Sequence, residues 1–587
     1  MTERSPYAFH PASYESELTA IIGECLKQES LSDSEMRGIL RRYPKDGRGF
    51  FSKSEIIRGF RYLREKRGLV GDEETFVERM RMKPVRTQSG VAPVTVLTEP
   101  FPCPGRCIFC PSDVRMPKSY LSDEPGAQRA AEHQFDPYGQ TMSRLRTYYN
   151  IGHHVDKVEL IVLGGTWSSY PSSYQRWFIR RCFDALNDFD PRDAAPQAPP
   201  ASFAVDYRDL GETHPPEGNR GRYNQIVAEF HGTRDRDLDR EQTSWEELEA
   251  VHRRNEEAQA RCVGLVLETR PDHLTQAEVE RMRRLGATKV QIGYQSLSDR
   301  VLEANHRGHD TAATRRAMRL LRNAGLKIHA HWMPNLLGSS PEQDVEDFRR
   351  IFSDRDFRPD ELKIYPCSLI ESAELMEHFR SGAWRPYSKD ELLFVLTECL
   401  KETPAYCRVT RMIRDIPGGD IVDGNRVTNF RQLVEDELQS SQAEVLEMRS
   451  REVRDTEVRV EDLHLDAIEY RSGIGREIFL QYVDDEYRLA GFLRLSLPAE
   501  GNPVAEIDGS AMIREVHVYG SLVGIGRHEN DRAQHVGLGR SLIAEAARRA
   551  AEGGYTDLAV ISSVGTRAYY RHLGFADGPR YQHQPIG

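Results

Sequence analysis

"PFPCPGRCIFCPSD", residues Pro100 to Asp113, follows the strand-like stretch "GVAPVTVL" (Gly90 to Leu97) and carries three of the nine cysteines in a 587-residue chain. Cys103, Cys107 and Cys110 form a Cys-x3-Cys-x2-Cys pattern stiffened by Pro102, Pro104 and Pro111. Structural zinc prefers four ligands, so three thiolates in one loop fit it poorly. A cuboidal iron–sulfur cluster takes cysteine thiolates, and three of them leave one iron open to a small molecule. The amino and carboxylate groups of S-adenosylmethionine would fill that position, and an electron from the cluster would cleave the sulfonium to an adenosyl radical. Zinc with a distant fourth ligand, or three unrelated buried thiols, are the competing readings. Cys25, Cys182, Cys262, Cys367, Cys399 and Cys407 are scattered singly in mostly apolar contexts, as packing residues are.

Nine cysteines in this length are too few for a disulfide scaffold. A hydrophobic share of 39% with 29% charged residues suits a soluble globular protein of several domains. No apolar run approaches the ~18 residues a membrane span needs, and the first residues show no secretory h-region. A cytoplasmic protein without a membrane partner is the expectation.

Short β-branched runs at 91–98, 158–163, 263–268, 289–294, 327–333 and 361–366 alternate with helical patterns such as 277–286 and 312–325, each ending on a glycine. That alternation predicts a parallel sheet or barrel with fewer than eight strands. Six prolines from Pro191 to Pro216 mark 191–222 as an insertion. A second unit begins near Val458. "EIFLQYVDDEYRLAGFLRLSLP" and "IREVHVYG" give strands there, a helix starts at Gly539, and "LAVISSVGTRAYYRHLGF" closes the chain.

The cysteine loop after a first strand resembles the radical S-adenosylmethionine (SAM) superfamily. Further segments fit its active rim: "LIVLGGT" with Gly164, Gly165 and Thr166, "ETRPD" with Glu268, "IGYQS" with Gln295, and "HWMP" at 331–334. In the second unit, "QHVGLGRSL" (Gln534 to Leu542) places Gln-x-x-Gly-x-Gly at an expected helix start, where backbone N–H groups favour a pyrophosphate. A plain tight turn is the bland alternative. With the preceding "EVHV" and the following "YYRHLGF", the set resembles the GNAT acetyltransferases, whose ligand is acetyl-CoA.

The two units in one chain resemble the tRNA uridine(34) acetyltransferase family, which includes the catalytic subunit of Elongator. The likeness runs from about residue 80 to the end through "KPVRTQSGVA" (Lys83 to Ala92), "NHRGHD" (Asn305 to Asp310), "LKIYP" (Leu362 to Pro366), "RDIPGGD" (Arg414 to Asp420) and "VISSVGTRAYYRHLGF" (Val560 to Phe575). It implies an α/β fold: a partial (β/α)6 radical SAM barrel over 81–440, a linker over 441–456, and a C-terminal GNAT domain over 457–587. A helical basic segment over 1–80 precedes them. It implies acetyl-CoA- and SAM-dependent addition of a carboxymethyl group at carbon five of the wobble uridine.

The residue roles carried over are as follows. Cys103, Cys107 and Cys110 hold a [4Fe-4S] cluster, and Gly164, Gly165, Thr166, Glu268 and Gln295 face SAM. Lys157 and Tyr570 are the catalytic candidates and acetyl-CoA contacts. Glu515, Val516, His517, Val518, Gln534, Gly537, Leu538, Gly539 and Arg540 complete the acetyl-CoA site. Implied partners are the tRNA anticodon loop, acetyl-CoA and an electron donor that the sequence does not name. The oligomeric state stays open between a homodimer and a standalone enzyme. Two departures from the family pattern stand out. "VLEMRSRE" (Val445 to Glu452) lacks the cysteine that members show between the domains, and Asn335 replaces an aspartate after "HWMP".

The net charge of −11 alone argues against a nucleic-acid partner. From Arg37 to Arg67, however, eight arginines and three lysines face only Asp46, Glu55 and Glu65, a net of +8, with Tyr43, Phe50, Phe51, Phe60 and Tyr62 interleaved. Read alone, the segment is either a solvated helix pair or a phosphate footprint. The resemblance supplies the tRNA, with Arg41, Arg42, Lys45, Arg58, Arg61, Arg64, Lys83 and Arg86 as contacts. Two other functions compete: a lysine acetyltransferase acting on protein, and a tRNA-binding assembly subunit with a structural cluster.

Overall fold

The computed structural model describes residues 9–28, 31–82, 87, 90–191, 223–233, 242–427, 429–453, 458–499, 501–519, 522–523 and 531–587. All six expected strands form: β1 (Ala92–Leu97), β2 (Lys157–Leu163), β3 (Arg261–Thr269), β4 (Lys289–Gln295), β5 (Lys327–Trp332) and β6 (Glu361–Ile364). A short pair, β7 (Leu369–Ile370) and β9 (Ile421–Asp423), lies apart, and between them β8 (Arg408–Arg411) adds a seventh parallel strand that the sequence reading missed. "RVTR" is too short and too charged to register as a strand run. The sheet order is β1-β2-β3-β4-β5-β6-β8, parallel throughout. Parallel strands buried on both faces read as apolar runs, and β4 is buried along six of its seven residues. The helices Gln276–Arg284 and Thr311–Asn323 end where expected. Gly286 and Gly325 follow with φ of 97° and 70°, the left-handed region that glycine tolerates.

The C-terminal unit contains β10 (Val458–Arg459), β11 (His464–Arg471), β12 (Gly475–Val483), β13 (Leu489–Pro498), β14 (Ala511–Val518), β15 (Leu522–Val523), β16 (Asp557–Val560), β17 (Ala576–Asp577) and β18 (Gln582–Pro585). Its main sheet runs β11-β12-β13-β14-β16-β18-β17. The strand β11, half-exposed along its length, was not anticipated. The central helix spans Asp531–Glu552, so Gly537 and Gly539 lie inside it. The expected helix start at the glycine motif is therefore corrected: the free N–H groups of the first turn belong to Asp531 to Gln534. The proline-rich insertion at 191–222 lies outside the described residues apart from Pro191.

Before the barrel, helices Glu15–Leu26, Asp33–Arg42, Lys53–Arg67 and Glu73–Met80 pack on a core of their own around Leu18, Ile21, Ile57 and Phe60. Ser32 with Glu35 and Ser52 with Glu55 close capping boxes. The turn at Pro44–Gly47 forms as read, with Asp46 and Gly47 at positive φ.

The two sheets are joined by buried charge. Asp360, with no exposed surface, accepts 2.7 Å bonds from Arg514 Nη1 and Nη2 on β14 and lies 3.5 Å from Arg494 on β13. Its Oδ2 also accepts from Ile328 N at 2.8 Å. The described part of the stretch expected as a linker is tightly packed. Arg431 pairs with Glu447 at 2.6 Å, Arg408 pairs with Glu452, and Arg451 donates to Gln481 and Ala405. Met448 stands in the cysteine-free stretch and accepts from Arg494 at 3.3 Å. Asn335, at φ 65°, uses its whole amide: Nδ2 donates to Arg385 O at 3.1 Å and Oδ1 accepts from Tyr387 N at 2.8 Å. An aspartate there could not donate.

Replacing Asp360 with Asn strands buried guanidinium charge and lowers stability by roughly 3–5 kcal/mol, read as a fall in the calorimetric transition. A second prediction concerns Asp344, which accepts from Asn335 N (2.6 Å) and Tyr387 OH (2.7 Å) and is pushed up to about 6 by burial. Its folded carboxyl holds a proton that the unfolded one, near 3.9, has released. Its contribution is thus complete below pH ~4 and is lost as pH rises to about 6. Urea titrations should show Asp344→Asn gaining about 3 kcal/mol relative to wild type across that interval.

Candidate active site

The cysteine loop lies across the C-terminal ends of the parallel strands and is clamped by three segments. Ile108 N donates to Asn305 O at 3.3 Å, Leu375 N to Ile108 O at 2.8 Å, and Ser112 N to Ser372 Oγ at 3.2 Å. A fourth clamp went unread in the sequence. Asn224, on the helix Tyr223–Thr233 after the insertion, accepts from Cys103 N at 2.9 Å and donates to Cys103 O at 2.7 Å. Beside it Tyr223 donates to Met116 O at 2.8 Å.

Cys107 is buried, while Cys103 and Cys110 are half-buried. The Cys107 thiol is held well below its ordinary value, first by the hydrogen bond from Cys110 and then by Arg307 and Arg270, against the effect of burial. Cys110 is pushed up by that shared bond and by burial. Cys103 Sγ lies 4.0 Å from Thr166 Oγ1. Among the described residues no three Cys, His, Asp or Glu side chains are gathered closely enough to enclose a metal ion. The fit to a cluster is therefore one of donor chemistry: three thiols on one loop, the middle one poised as a thiolate, and no carboxylate or imidazole among them.

The glycine pair borders this loop. Gly164, at φ 142°, packs so tightly that a Cβ would overlap Thr98 Oγ1, and a Cβ on Gly165 would meet Tyr170 OH at 3.1 Å. Thr98 is fixed by Tyr170 at 2.8 Å, and Tyr170 in turn donates to Glu99 O at 2.7 Å. Gln295 ends β4 at φ 64° with its Oε1 buried and unpartnered. Glu268 is the last but one residue of β3 and is raised by burial, its Oε1 3.7 Å from His331 Nδ1.

Lys157 sits elsewhere. It is exposed at the first position of β2, roughly 20 Å along the strand from Gly164. It pairs in register with Arg261, at the place where the C-terminal unit docks: Ser563 Oγ donates to Cys262 O at 2.7 Å, and Gly565 packs against Arg261. Lys157 is thus at the opposite end of its strand from the cysteine loop.

On the C-terminal sheet β14 pairs with β16 only through Ala511, Met512 and Ile513. From Arg514 to Val518 the β16-facing side of β14 has no strand partner among the described residues. Backbone groups alternate between the two sides of a strand and the other side is paired with β13, so every second residue from Glu515 to Val518 offers its backbone polar groups to an extended ligand. The Glu515 side chain is committed to Lys327 and, at 2.8 Å, to Arg494. His517 is pushed down to about 4 by burial, with Nε2 unpartnered. Leu538 and Gly539 are buried, Gly537 and Arg540 exposed. The Gly539 position is needed for Tyr569, whose hydroxyl would lie 2.9 Å from an added Cβ. Tyr570 is buried, edge-on to Phe575 at 5.5 Å, and its phenol is pushed up by burial. Gln534 lies on the helix, its side chain outside the described part.

The basic segment is less free than its local charge suggests. Arg42 pairs with Glu24, Lys45 with Glu55 (2.6 Å), and Arg64 with Glu73 (2.5 Å). Arg61 bonds Glu73 and Tyr149 O (both 2.9 Å), and Arg58 donates to Phe9 O at 2.8 Å. Glu24 and Glu73 lie outside the counted stretch, which is why its +8 overstates the available charge. Arg41 and Arg48 are exposed, with no ion-pair partner among the described residues. Lys83 and Arg86 lie outside the described residues.

Replacing Gly164 with Ala should cost roughly 1–3 kcal/mol through backbone strain and the overlap with Thr98. A thermal melt checks this, and an unchanged transition would contradict the packing described.

Comparison with known proteins bears on both units. The Radical SAM superfamily profile matches residues 233–351, and the Radical_SAM C-terminal domain profile matches 359–440. A tRNA uridine(34) acetyltransferase of Dehalococcoides mccartyi is 37% identical over 497 residues, covering 84% of this chain and 96% of that protein. The human Elongator complex protein 3 is 33% identical over 525 residues, covering 86% and 85%. The archaeal Methanocaldococcus infernus Elp3 structure, lacking residues 1–46 of its own chain, superposes with a TM-score of 0.65 at 31% identity, covering 85% of this chain and 99% of that one. With the cysteine loop on a parallel half-barrel and an open-edged second sheet docked beneath it, the chain belongs to the tRNA uridine(34) acetyltransferase and Elongator complex protein 3 family.

Proposed function

We propose that this protein modifies the wobble uridine of tRNA, adding a carboxymethyl group at carbon five with SAM and acetyl-CoA. One observation carries the reading. A three-cysteine loop on the rim of a parallel half-barrel and a strand with an unpaired edge are held in one chain by buried ion pairs.

Cys103, Cys107 and Cys110 would hold the cluster, with Gly164, Gly165, Thr166, Glu268 and Gln295 beside the bound SAM. The cluster, when bound, supplies the electron for reductive cleavage of the sulfonium. The chain's own residues do the rest. The open edge of β14 at Glu515 to Val518 takes the acyl-CoA arm as an added strand takes its neighbour. Helix dipole and first-turn N–H groups at Asp531–Glu552 favour its phosphates, and Arg540 is exposed further along the same helix. Tyr570, its phenol kept neutral by burial, can donate to a thioester or thiolate but cannot act as a base near pH 7. Lys157 would contact acetyl-CoA from the barrel side of the unit interface. Arg41 and Arg48 remain as exposed cations for the tRNA backbone.

No helix among the described residues is long and apolar enough to cross a membrane.

Anaerobic reconstitution with tRNA, acetyl-CoA, SAM and a reductant tests the reading. Nucleoside mass spectrometry should show an acetyl-CoA-dependent carboxymethyl gain on uridine that Cys107→Ala abolishes. A product that persists in that variant rejects the radical route.

A further inference from the structure

Two buried guanidinium groups converge on one thiol. Arg307 Nη1 donates to Cys107 Sγ at 3.2 Å and Arg270 Nη1 at 3.6 Å. Both arginines are only 5% exposed. Each is held from behind. Arg270 grips Asp272 with two bonds of 3.0 and 2.9 Å and donates to Arg307 O, and Arg307 donates to Gly293 O. Gly105 admits this approach, since a Cβ there would overlap Arg270 Nη1.

The two arginines are not equally answered. Asp272 pairs with Arg270 at 2.9 Å, whereas Arg307 forms no close ion pair with a carboxylate among the described residues and acts on Glu268 only at longer range. A buried cation is retained where an anion answers it, and Cys107 is the group it faces. Cys103 has the neutral Thr166 nearby, and no cationic donor reaches the sulfur of Cys103 or Cys110 among the described residues.

We propose that Arg270 and Arg307 act through Cys107 as positioning residues that raise the reduction potential of the iron–sulfur cluster. The inference rests on Cys107 being a cluster ligand, as argued under the proposed function. Reduction adds one electron, supplied by dithionite as titrant, with no bond made or broken and no proton moved. The added negative charge spreads onto the ligand sulfurs. N–H donors and cations beside one of them therefore stabilise the reduced state more than the oxidised one. Exclusion of water strengthens that difference.

The test is a redox titration followed by electron paramagnetic resonance on anaerobically reconstituted wild type, Arg307→Lys, Arg307→Met and Arg270→Met, with iron counted per chain. Arg307→Met and Arg270→Met should move the midpoint to more negative potential at unchanged iron content, and Arg307→Lys should restore part of the shift at its position. Midpoints that coincide in all four proteins overturn the proposal, as does a Lys variant that moves as far as the Met variant. If Arg307→Met does not hold its iron, Arg270→Met decides on the same terms. A wild-type protein that assembles no cluster instead removes the functional reading itself, so the two failures are distinct.

Discussion

Asp360 immediately precedes β6, fully enclosed, and three arginines from different elements turn toward it: Arg514, Arg494 and Arg322. Such a carboxylate is stable only while its partners are in place. Its two oxygens tie β14 of the second sheet to the backbone of β5 through Ile328, and Arg514 also reaches Glu477 at 3.0 Å. This node is the most deeply buried of the contacts that fix the relative position of the two sheets, alongside Lys327 with Glu515 and Ser563 with Cys262. A hydrophobic seam of the same area would hold the units together without specifying their register. Paired charges require one.

From that constraint the polar interior of the barrel follows. Lys327 bridges Glu515 and Glu361, and Lys289 bridges Glu361 and Glu159, so the charge begun at the junction continues into the lower barrel. Higher up, His331 bonds Gln291 at 2.9 Å and His329 bonds Thr410 at 2.9 Å. Both imidazoles are held well below their ordinary values by burial, and so are neutral. Lys363 also donates to Gln291 in this layer, and the cationic series continues to the rim as Arg307 and Arg270 beside Cys107.

Much of this was legible beforehand, and the limits were physical. Strands β1 to β6 announced themselves as apolar runs because parallel strands are buried on both faces. β8 and β11, one short and charged and the other half-exposed, carry no such signature. The cysteine spacing located the site, but the arginines that serve Cys107 arrive from 163 and 200 residues away, and no local pattern joins them. "ETRPD" and "NHRGHD" were visible as motifs without their arginines being assigned a task. The helix start was misplaced because Gly537 and Gly539 were read as its opening residues, whereas the helix begins at Asp531. Gly539 is small for a different reason, the approach of Tyr569. The basic segment was overcounted because Glu24 and Glu73 lie beyond its ends.

Asn224 pins both backbone groups of Cys103, yet the chain reaches it only 121 positions later, after the proline-rich insertion. Most of the chain between belongs to the barrel, so the connection to Asn224 is the proline-rich insertion alone, and the entropy of closing a connection rises only slowly with its length. Relatives could therefore lengthen or trim the intervening segment at little thermodynamic penalty, provided the clasp at its far end survives. Evolutionary variability and active-site geometry are in this way uncoupled at the first thiol.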